Sequence, residues 1–347
     1  MRSLRLALLF NSKKSVPHTP DSPVDYAAEY DTEETINGLE QALRSHGHQV
    51  TPLEGDISLL DNIRRLQPDI CFNICEGLRG ESREAHVPAL LEMLGIPYTA
   101  SGVLANALSL DKAMGKMVWK AAGLPTAPFQ VLHRGDEPLA AGLEFPLFLK
   151  PVREGSGMGI NERSIAHNEQ ELRQQARWLA STYRQPVLVE SFLPGHEYTI
   201  GILGNERAIY RLPDSPLYDE RGFHAFPPLE IDVREVEDAG GLYTSHIKSE
   251  KPLAPRYLCP APCSPELTRQ LQTLAVDAFT AINALDVGRV DFRLDGQGRP
   301  QLLEINTLPG VNPRYSDIVF AARGEGMSYE TLINEILNLA VARYGLS

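Results

Sequence analysis

Two runs of alternating hydropathy, residues 287–294 and 300–306, flank the segment Asp295-Gly-Gln-Gly-Arg299. Alternation at period two marks strands, and an Asp followed by two nearby glycines supplies turn geometry. GRVDFRLDGQGRPQLLEINTLPGVNP is therefore predicted to fold as a β-hairpin. Closing the turn at 295 and 300 sets Arg289 opposite Asn306, Asp291 opposite Glu304 and Arg293 opposite Leu302. Val290, Phe292, Leu294, Leu303 and Ile305 then share an apolar face, and the ionic residues share the other. A β-bulge would displace this register.

Carboxylates directly opposed across two strands lie ~5 Å apart at Cβ. At ~4 Å and an effective dielectric near 20, like charges repel by about 4 kcal/mol. Protonation relieves this, as does the neighbouring Arg289, as does a hard divalent cation that takes carboxylate and amide oxygens. The plainer alternative is a solvated hairpin face carrying a surface ion pair.

With 347 residues, 43% of them hydrophobic, the chain can build two or three domains. Its net charge of −12 argues against nucleic acid as a partner, so a bound phosphate must be held by local backbone and a few lysines. No apolar run approaches the ~20 residues of a membrane span. MRSLRLALLF is too short an apolar stretch for a signal peptide and is followed by no small-residue cleavage site. It reads as a first buried strand, and the protein as cytoplasmic. The four cysteines, Cys71/Cys75 and Cys259/Cys263, have a spacing that argues against a zinc site, and the first two read as core thiols.

The first third alternates strand and helix. Strands are expected at 4–10, 49–53, 69–75 and 97–99, and helices at 32–46, 58–66 and 85–94. This order implies a parallel sheet with helices on both faces and ligands at the carboxyl ends of its strands, from which loops 11–25 and 76–83 emerge. Further on, helices are expected at 110–122, 168–180, 267–284 and 329–344, the last with Leu332, Ile333, Ile336, Leu337 and Ala340 inward. Strands are expected at 129–132, 146–150, 187–191 and 198–203. Residues 214–262 read as a long irregular segment, which in a compact domain is usually functional.

Two more patterns bear on chemistry. Lys150-Pro-Val-Arg-Glu-Gly-Ser-Gly-Met-Gly159 follows the strand FPLFLK. Its glycines let backbone N–H groups approach a ligand and its lysine adds a point charge, a combination suited to phosphate; a plain glycine turn is the alternative. In VLVESFLPGHEYTIGIL the chain bends between two strands at Pro194-Gly195 and exposes backbone, a slot for a flat base. Glu190 could accept from an exocyclic amine there and Glu197 from ribose hydroxyls, unless both are simply solvated strand ends.

Together, the lysine-plus-glycine loop, the slot with two glutamates and the D…E-x-N hairpin resemble the ATP-grasp fold, and most closely the D-alanine–D-alanine ligases. The resemblance runs from about residue 97 to the C-terminus. It implies an α/β (α+β) architecture: an N-terminal parallel α/β domain over 1–108, a small central nucleotide-lid subdomain over 109–192, and a C-terminal mixed-sheet subdomain with the metal site over 193–347. It implies that Asp291, Glu304 and Asn306 hold two magnesium ions, with manganese as a possible substitute, and that Lys112 and Lys150 lie near the ATP phosphates. Glu190 and Leu193 would line the adenine slot and Glu197 would hold the ribose. Ser156 would sit in a mobile loop over the reacting phosphate. Arg289 and the N–H of Gly310 would stabilise an oxyanion, and Lys248 would match a phosphate-binding lysine. The implied reaction joins a carboxylate to an amine through an acyl phosphate, behind a lid formed by 155–159 and 214–250.

The substrate end departs from the family. Its glutamate-bearing segment after the first strand is here LLFNSKKSVPHTPDSPVDYAAEYD, where Glu29 or Asp31 is the possible substitute. A second family loop becomes Glu76-Gly-Leu-Arg-Gly-Glu-Ser-Arg83, and the residues after Pro309-Gly310 become Val311-Asn-Pro-Arg-Tyr-Ser316. Arg314 could grip a carboxylate and Tyr315 adds bulk. The expectation is a ligase for D-alanine or for larger amino acids or peptides, acting on small molecules, with a homodimer as the commonest assembly. A non-catalytic nucleotide sensor and a phosphotransferase that stops at phosphorylation are the readings from other classes.

Overall fold

A computed structural model describes residues 3–16, 19–236 and 242–346, with main chain alone at 248 and 249. Strand β1 (Arg5–Phe10) lies between β2 (Gln49–Glu54) and β3 (Ile70–Asn73) in a parallel sheet. Leu6 and Leu8 join one hydrophobic cluster, Ala7 and Leu9 another, and all four are buried. A parallel strand covered on both faces has no solvent side, which is why LALL shows no polar alternation. The connections pass through helices Glu33–Ser45 and Leu59–Leu66. The first starts where the Thr32 side chain accepts from Thr35 N–H, with Glu33 and Glu34 in the positive first turn.

The middle of the chain forms an antiparallel sheet. Strands β4 (Phe129–Leu132), β5 (Leu147–Pro151), β6 (Ile165–Ala166) and β7 (Val187–Ser191) are arranged β4-β7-β5-β6. Helix Glu169–Tyr183 packs Leu172, Ala176 and Leu179 against Leu147, Leu149 and Val189.

The third sheet holds β8 (Glu197–Gly204), β9 (Phe223–Ala225), β10 (Leu229–Asp232), β11 (Arg256–Leu258), β12 (Asp286–Leu294) and β13 (Pro300–Asn306). Its order is β11-β10-β8-β12-β13, with β9 also paired to β8. Helix Pro265–Ala281 buries Leu271, Ala275 and Phe279 against Val290, Phe292 and Ile305. Helix Tyr329–Arg343 buries the five residues expected to face inward. They share one cluster with Leu4, Leu6 and Leu8, so the last helix closes against the first sheet.

Several expectations need correction. Residues 214–262 are not irregular throughout: they contain β9, β10, β11 and the helix Ser245–Glu250. Strands of three or four residues paired to distant partners leave too short a pattern to read. The helix expected at 110–122 forms as Lys112–Ala121, started by Asp111, whose side chain caps it by accepting from Met114 N–H; a separate helix, Val103–Leu110, precedes it and was not foreseen. Helix Asp317–Gly324 was not foreseen. The strand expected at 97–99 is reduced to a bridge from Tyr98 to Cys71. All four cysteines are free, Cys71 and Cys75 buried, and among the described residues no three His, Cys, Asp or Glu side chains are grouped to hold a metal. No helix among the described residues is long and apolar enough to cross a membrane.

Candidate active site

The hairpin face forms as the alternation requires. Arg289 pairs with Asn306 and Asp291 with Glu304. Beyond Asp291 a bulge shifts the ladder, so Phe292 pairs with Leu302 and Arg293 with Gln301. This corrects two expectations: Arg293 does not face Leu302, and Leu303 is not on the core face. Leu302 is fully buried in the core, and Leu303 lines a cavity beside Glu190 and Leu193.

Neighbouring donors relieve the repulsion at Asp291. Arg289 Nε lies 3.0 Å from Oδ1 and Nη2 2.8 Å from Oδ2, while Asn306 Nδ2 donates to Oδ2 at 3.3 Å. Thr199, its partner on β8, donates its hydroxyl to Oδ1. Arg289 Nη1 also pairs with Asp317 Oδ2 at 3.0 Å. Burial works against the guanidinium charge, but Asp291 and Asp317 outweigh it and push the Arg289 pKa up. Glu304 Oε2 stands 3.4 Å from Lys112 Nζ. Asp291, Glu304 and Asn306 thus offer two carboxylates and an amide on one face, hard oxygen donors too few to enclose an ion. That set suits magnesium, which takes one or two carboxylates and completes its shell from phosphate oxygens and water.

Beside this face lies a slot of about 90 Å³. Its walls are apolar at Phe148, Met158, Phe192, Leu193 and Leu303, and polar at Lys150, Glu190, Glu197 and Arg293. Glu197 pairs with Arg293 at 3.6 Å, and the Arg293 guanidinium stacks over the Phe192 ring with 5.5 Å to its centroid. Glu190 is buried between two ammonium groups: Lys150 Nζ is 2.9 Å from Oε1 and Lys116 Nζ 2.8 Å from Oε2. Burial alone would raise its pKa; Lys116 and Lys150 overcome that and hold it at about 2. Lys116 was not singled out in the sequence. Its signal was faint: it stands four residues after Lys112, on the helix face that also buries Ala113 and Trp119.

A second cavity, of about 390 Å³, opens on the other side of Glu304. Of the residues expected at the site, Glu29, Glu76, Lys112, Ser156, Arg289, Glu304, Asn306, Gly310 and Tyr315 line it. Asp291, Lys150, Glu190, Leu193 and Glu197 line the slot, and Lys112 and Glu304 line both. Arg314 is not among the lining residues; it is exposed and pairs with Glu34 at 3.4 Å. The side chain of Lys248 lies outside the described residues. Ser156 holds the left-handed conformation, φ 49°, between Gly155 and Gly157.

Glu29 is committed to the protein's own groups. It accepts from Arg83 Nη2 at 3.0 and 2.8 Å and from the N–H of Gly155. Arg83 continues to the carbonyl of Arg153 at 2.9 Å and to Glu154 at 3.2 Å. Around Glu29 the cavity wall is acidic. Burial, then Glu84 and Glu29, push the Glu76 carboxyl well up. Burial, then Glu29, raise Glu84 to about 8 despite Arg83 and Lys112. Asp31 is raised chiefly by burial. Glu84 and Asp317 were missed because nothing local in the chain marks either as facing a cavity.

Residues 118–338 match the family model described as D-ala D-ala ligase C-terminus. The D-alanine–D-alanine ligase of Nitrosococcus oceani is 35% identical over 308 residues, which cover 88% of this chain and 86% of that one. An uncharacterized protein of Sinorhizobium fredii, y4sG, is also 35% identical, over 311 residues that cover 87% of this chain and 86% of its own. The crystal structure of D-alanine–D-alanine ligase from Bacillus anthracis complexed with ATP has the same fold, with a TM-score of 0.74 over 99% of this chain and 100% of that one, at 19% identity.

Proposed function

Because the chain belongs to the D-alanine–D-alanine ligase family of ATP-grasp enzymes, we propose that it joins the carboxylate of one amino acid to the amine of another, at the expense of ATP, with D-alanine the first candidate for both. One observation carries this reading. Lys112 and Glu304 line the slot and the larger cavity at once, so the phosphate end of a nucleotide in the slot and a carboxylate in the cavity would meet there.

In this reading the base lies against Phe148, Phe192, Leu193 and Leu303. Both oxygens of Glu190 face lysines, so it anchors Lys150 beneath the phosphates, and hydrogen bonds to the base come from the adjoining main chain. Glu197 serves the ribose. Asp291, Glu304 and Asn306 would hold magnesium, two ions in the family pattern or manganese in its place. Bound there, the metal would screen charge on the phosphates. A substrate carboxylate oxygen attacks the γ-phosphorus, the bond to the β–γ bridging oxygen breaks, and ADP leaves. The amine of the second amino acid then attacks the acyl phosphate. Arg289, braced by Asp291 and Asp317, and the N–H of Gly310 receive the oxyanion before phosphate departs. The loop bearing Ser156 keeps water from the acyl phosphate. The product would serve cell-wall precursor synthesis, in the cytoplasm, and a homodimer is the assembly to test first.

The acidic wall favours a second reading, a ligase for larger or more cationic amino acids or peptides. Glu76, Glu84 and Asp31 face a cavity that Tyr315 also lines, and an added ammonium group on the substrate would satisfy them.

Phosphate release from MgATP with D- and L-amino acids, singly and in pairs, tests both readings when product masses are recorded. Release with D-alanine and a D-Ala–D-Ala mass is the expected outcome. Release only with basic or bulkier partners would select the second reading. Nucleotide binding without release by any pair would defeat both and favour a sensor.

A further inference from the structure

The glycine-rich loop is gripped at both ends by one short segment of the N-terminal region. Glu29 accepts from the N–H of Gly155, and Asp25 Oδ2 accepts from the N–H of Gly159 at 3.0 Å. The two carboxylates and the two glycines are each four residues apart, so the segment runs against the loop and fastens it at two points. Asp25 does more than Glu29. Tyr183 Oη donates to it at 2.8 and 3.0 Å from the end of helix Glu169–Tyr183. Ser245 Oγ donates to it at 3.1 Å, and Ser245 N–H donates to the carbonyl of Gly157 at 3.2 Å. One carboxylate therefore ties together the loop after β1, the glycine-rich loop, the central helix and the first residue of helix Ser245–Glu250.

We propose that Asp25 is a positioning residue that holds the 155–159 loop shut over the reaction cavity while the activated carboxylate awaits its amine. A carboxylate has about four acceptor sites, and charge-assisted hydrogen bonds to it are about twice as strong as neutral ones. The clasp joins segments that are far apart in sequence, and it lies away from the reacting atoms. Gly155 and Ser156, in the loop that it fastens at Gly159, line the cavity itself. Opening the clasp admits water to the acyl phosphate, whose hydrolysis returns the free carboxylate and phosphate. The signature is wasted ATP, not lost nucleotide binding.

The inference rests on the ligase reading, and the test separates the two. Phosphate released and amide formed are measured together in wild type, Asp25→Asn and Tyr183→Phe, with the apparent KM for ATP and hydrogen exchange at 155–159. The expected result is at least about a threefold rise in phosphate per amide for Asp25→Asn and a smaller rise for Tyr183→Phe, with KM for ATP within about twofold and faster exchange in the loop. An unchanged ratio with unchanged loop exchange, in an active wild type, overturns the role of Asp25. If Asp25→Asn does not fold, Tyr183→Phe and Ser245→Ala decide, since each removes one donor and leaves the carboxylate; an unchanged ratio in both overturns it equally. A wild type that forms no amide with any substrate counts against the ligase reading, and loop exchange still reads the clasp.

Discussion

Lys116 Nζ lies 2.8 Å from Glu190 Oε2 in a part of the molecule closed to solvent, and Lys150 approaches the other oxygen of the same carboxylate. Lys116 also donates to Thr126 Oγ1 at 2.7 Å and to the carbonyl of Leu302 at 3.1 Å. It thereby ties the central sheet to the bulged strand whose next residue lines the slot. Glu190→Gln leaves two buried ammonium groups without a counter-charge, which costs about 3–5 kcal/mol. Urea unfolding should show that loss, with Lys116→Met losing less because the Glu190–Lys150 pair survives. Because the folded pKa of Glu190 lies below its unfolded value, its stabilisation is present above pH ~4.5 and fades as pH falls toward 2. Equal losses in the two variants would refute the shared-counter-ion picture.

Arg289 is held by two carboxylates that fix the plane of its guanidinium. A lysine keeps the charge but not the fork geometry. Arg289→Lys is expected to lower kcat by about 100-fold or more while KM for ATP changes little, as for loss of an oxyanion donor. Asp317→Asn should lower kcat less, since Asp291 still braces the arginine. If KM for ATP carried the whole effect, Arg289 would be a nucleotide ligand and not an oxyanion donor.

The glycine-rich loop tolerates no side chain at Gly157. Its φ is +70°, and a Cβ there would lie 2.8 Å from the backbone nitrogen of Ser245. Gly157→Ala is expected to cost about 1–3 kcal/mol of strain that loop opening relieves. Turnover should fall about tenfold or more, with a thermal midpoint near wild type. Gly296→Ala in the hairpin turn is the control: nothing lies within 4 Å of a Cβ there, so activity should be unchanged. Normal turnover by Gly157→Ala would show that this close approach to Ser245 is not needed for catalysis.

These residues show what a sequence discloses and what it withholds. Asp291 and Glu304 could be paired in advance because alternation and a glycine turn set a register locally. The bulge could not be foreseen, because Leu302 and Leu303 are the same residue and nothing local says which one enters the core. The three-residue strands β9 and β11 are specified by distant partners, not by their own period. Lys116 and Glu84 acquire their environments only when separate sheets meet. Glu29 lines the larger cavity, but its bonds to Arg83 and Gly155 depend on tertiary geometry that spacing does not carry.

The acidic wall makes stability depend on pH in a direction opposite to that of Glu190. Burial and Glu29 raise Glu84 to about 8, and Glu154, raised by burial and by Glu29 against the pull of Arg83, stands at about 7. The unfolded chain releases these protons near pH 4.5 while the folded chain keeps them, so the folded state binds more protons between those limits. Stability from this source is complete below pH ~4.5 and is lost as pH rises through 7 and 8. Urea midpoints at pH 5, 7 and 9 should therefore fall for the wild type. Glu84→Gln keeps the neutral form at every pH, so its midpoint should fall less steeply and exceed that of the wild type at pH 9. A residual slope should remain from Glu154 and Glu76. Parallel slopes in wild type and Glu84→Gln would mean that Glu84 is already ionised in the folded protein. The wall would then present a standing negative charge to the substrate before any cation arrives.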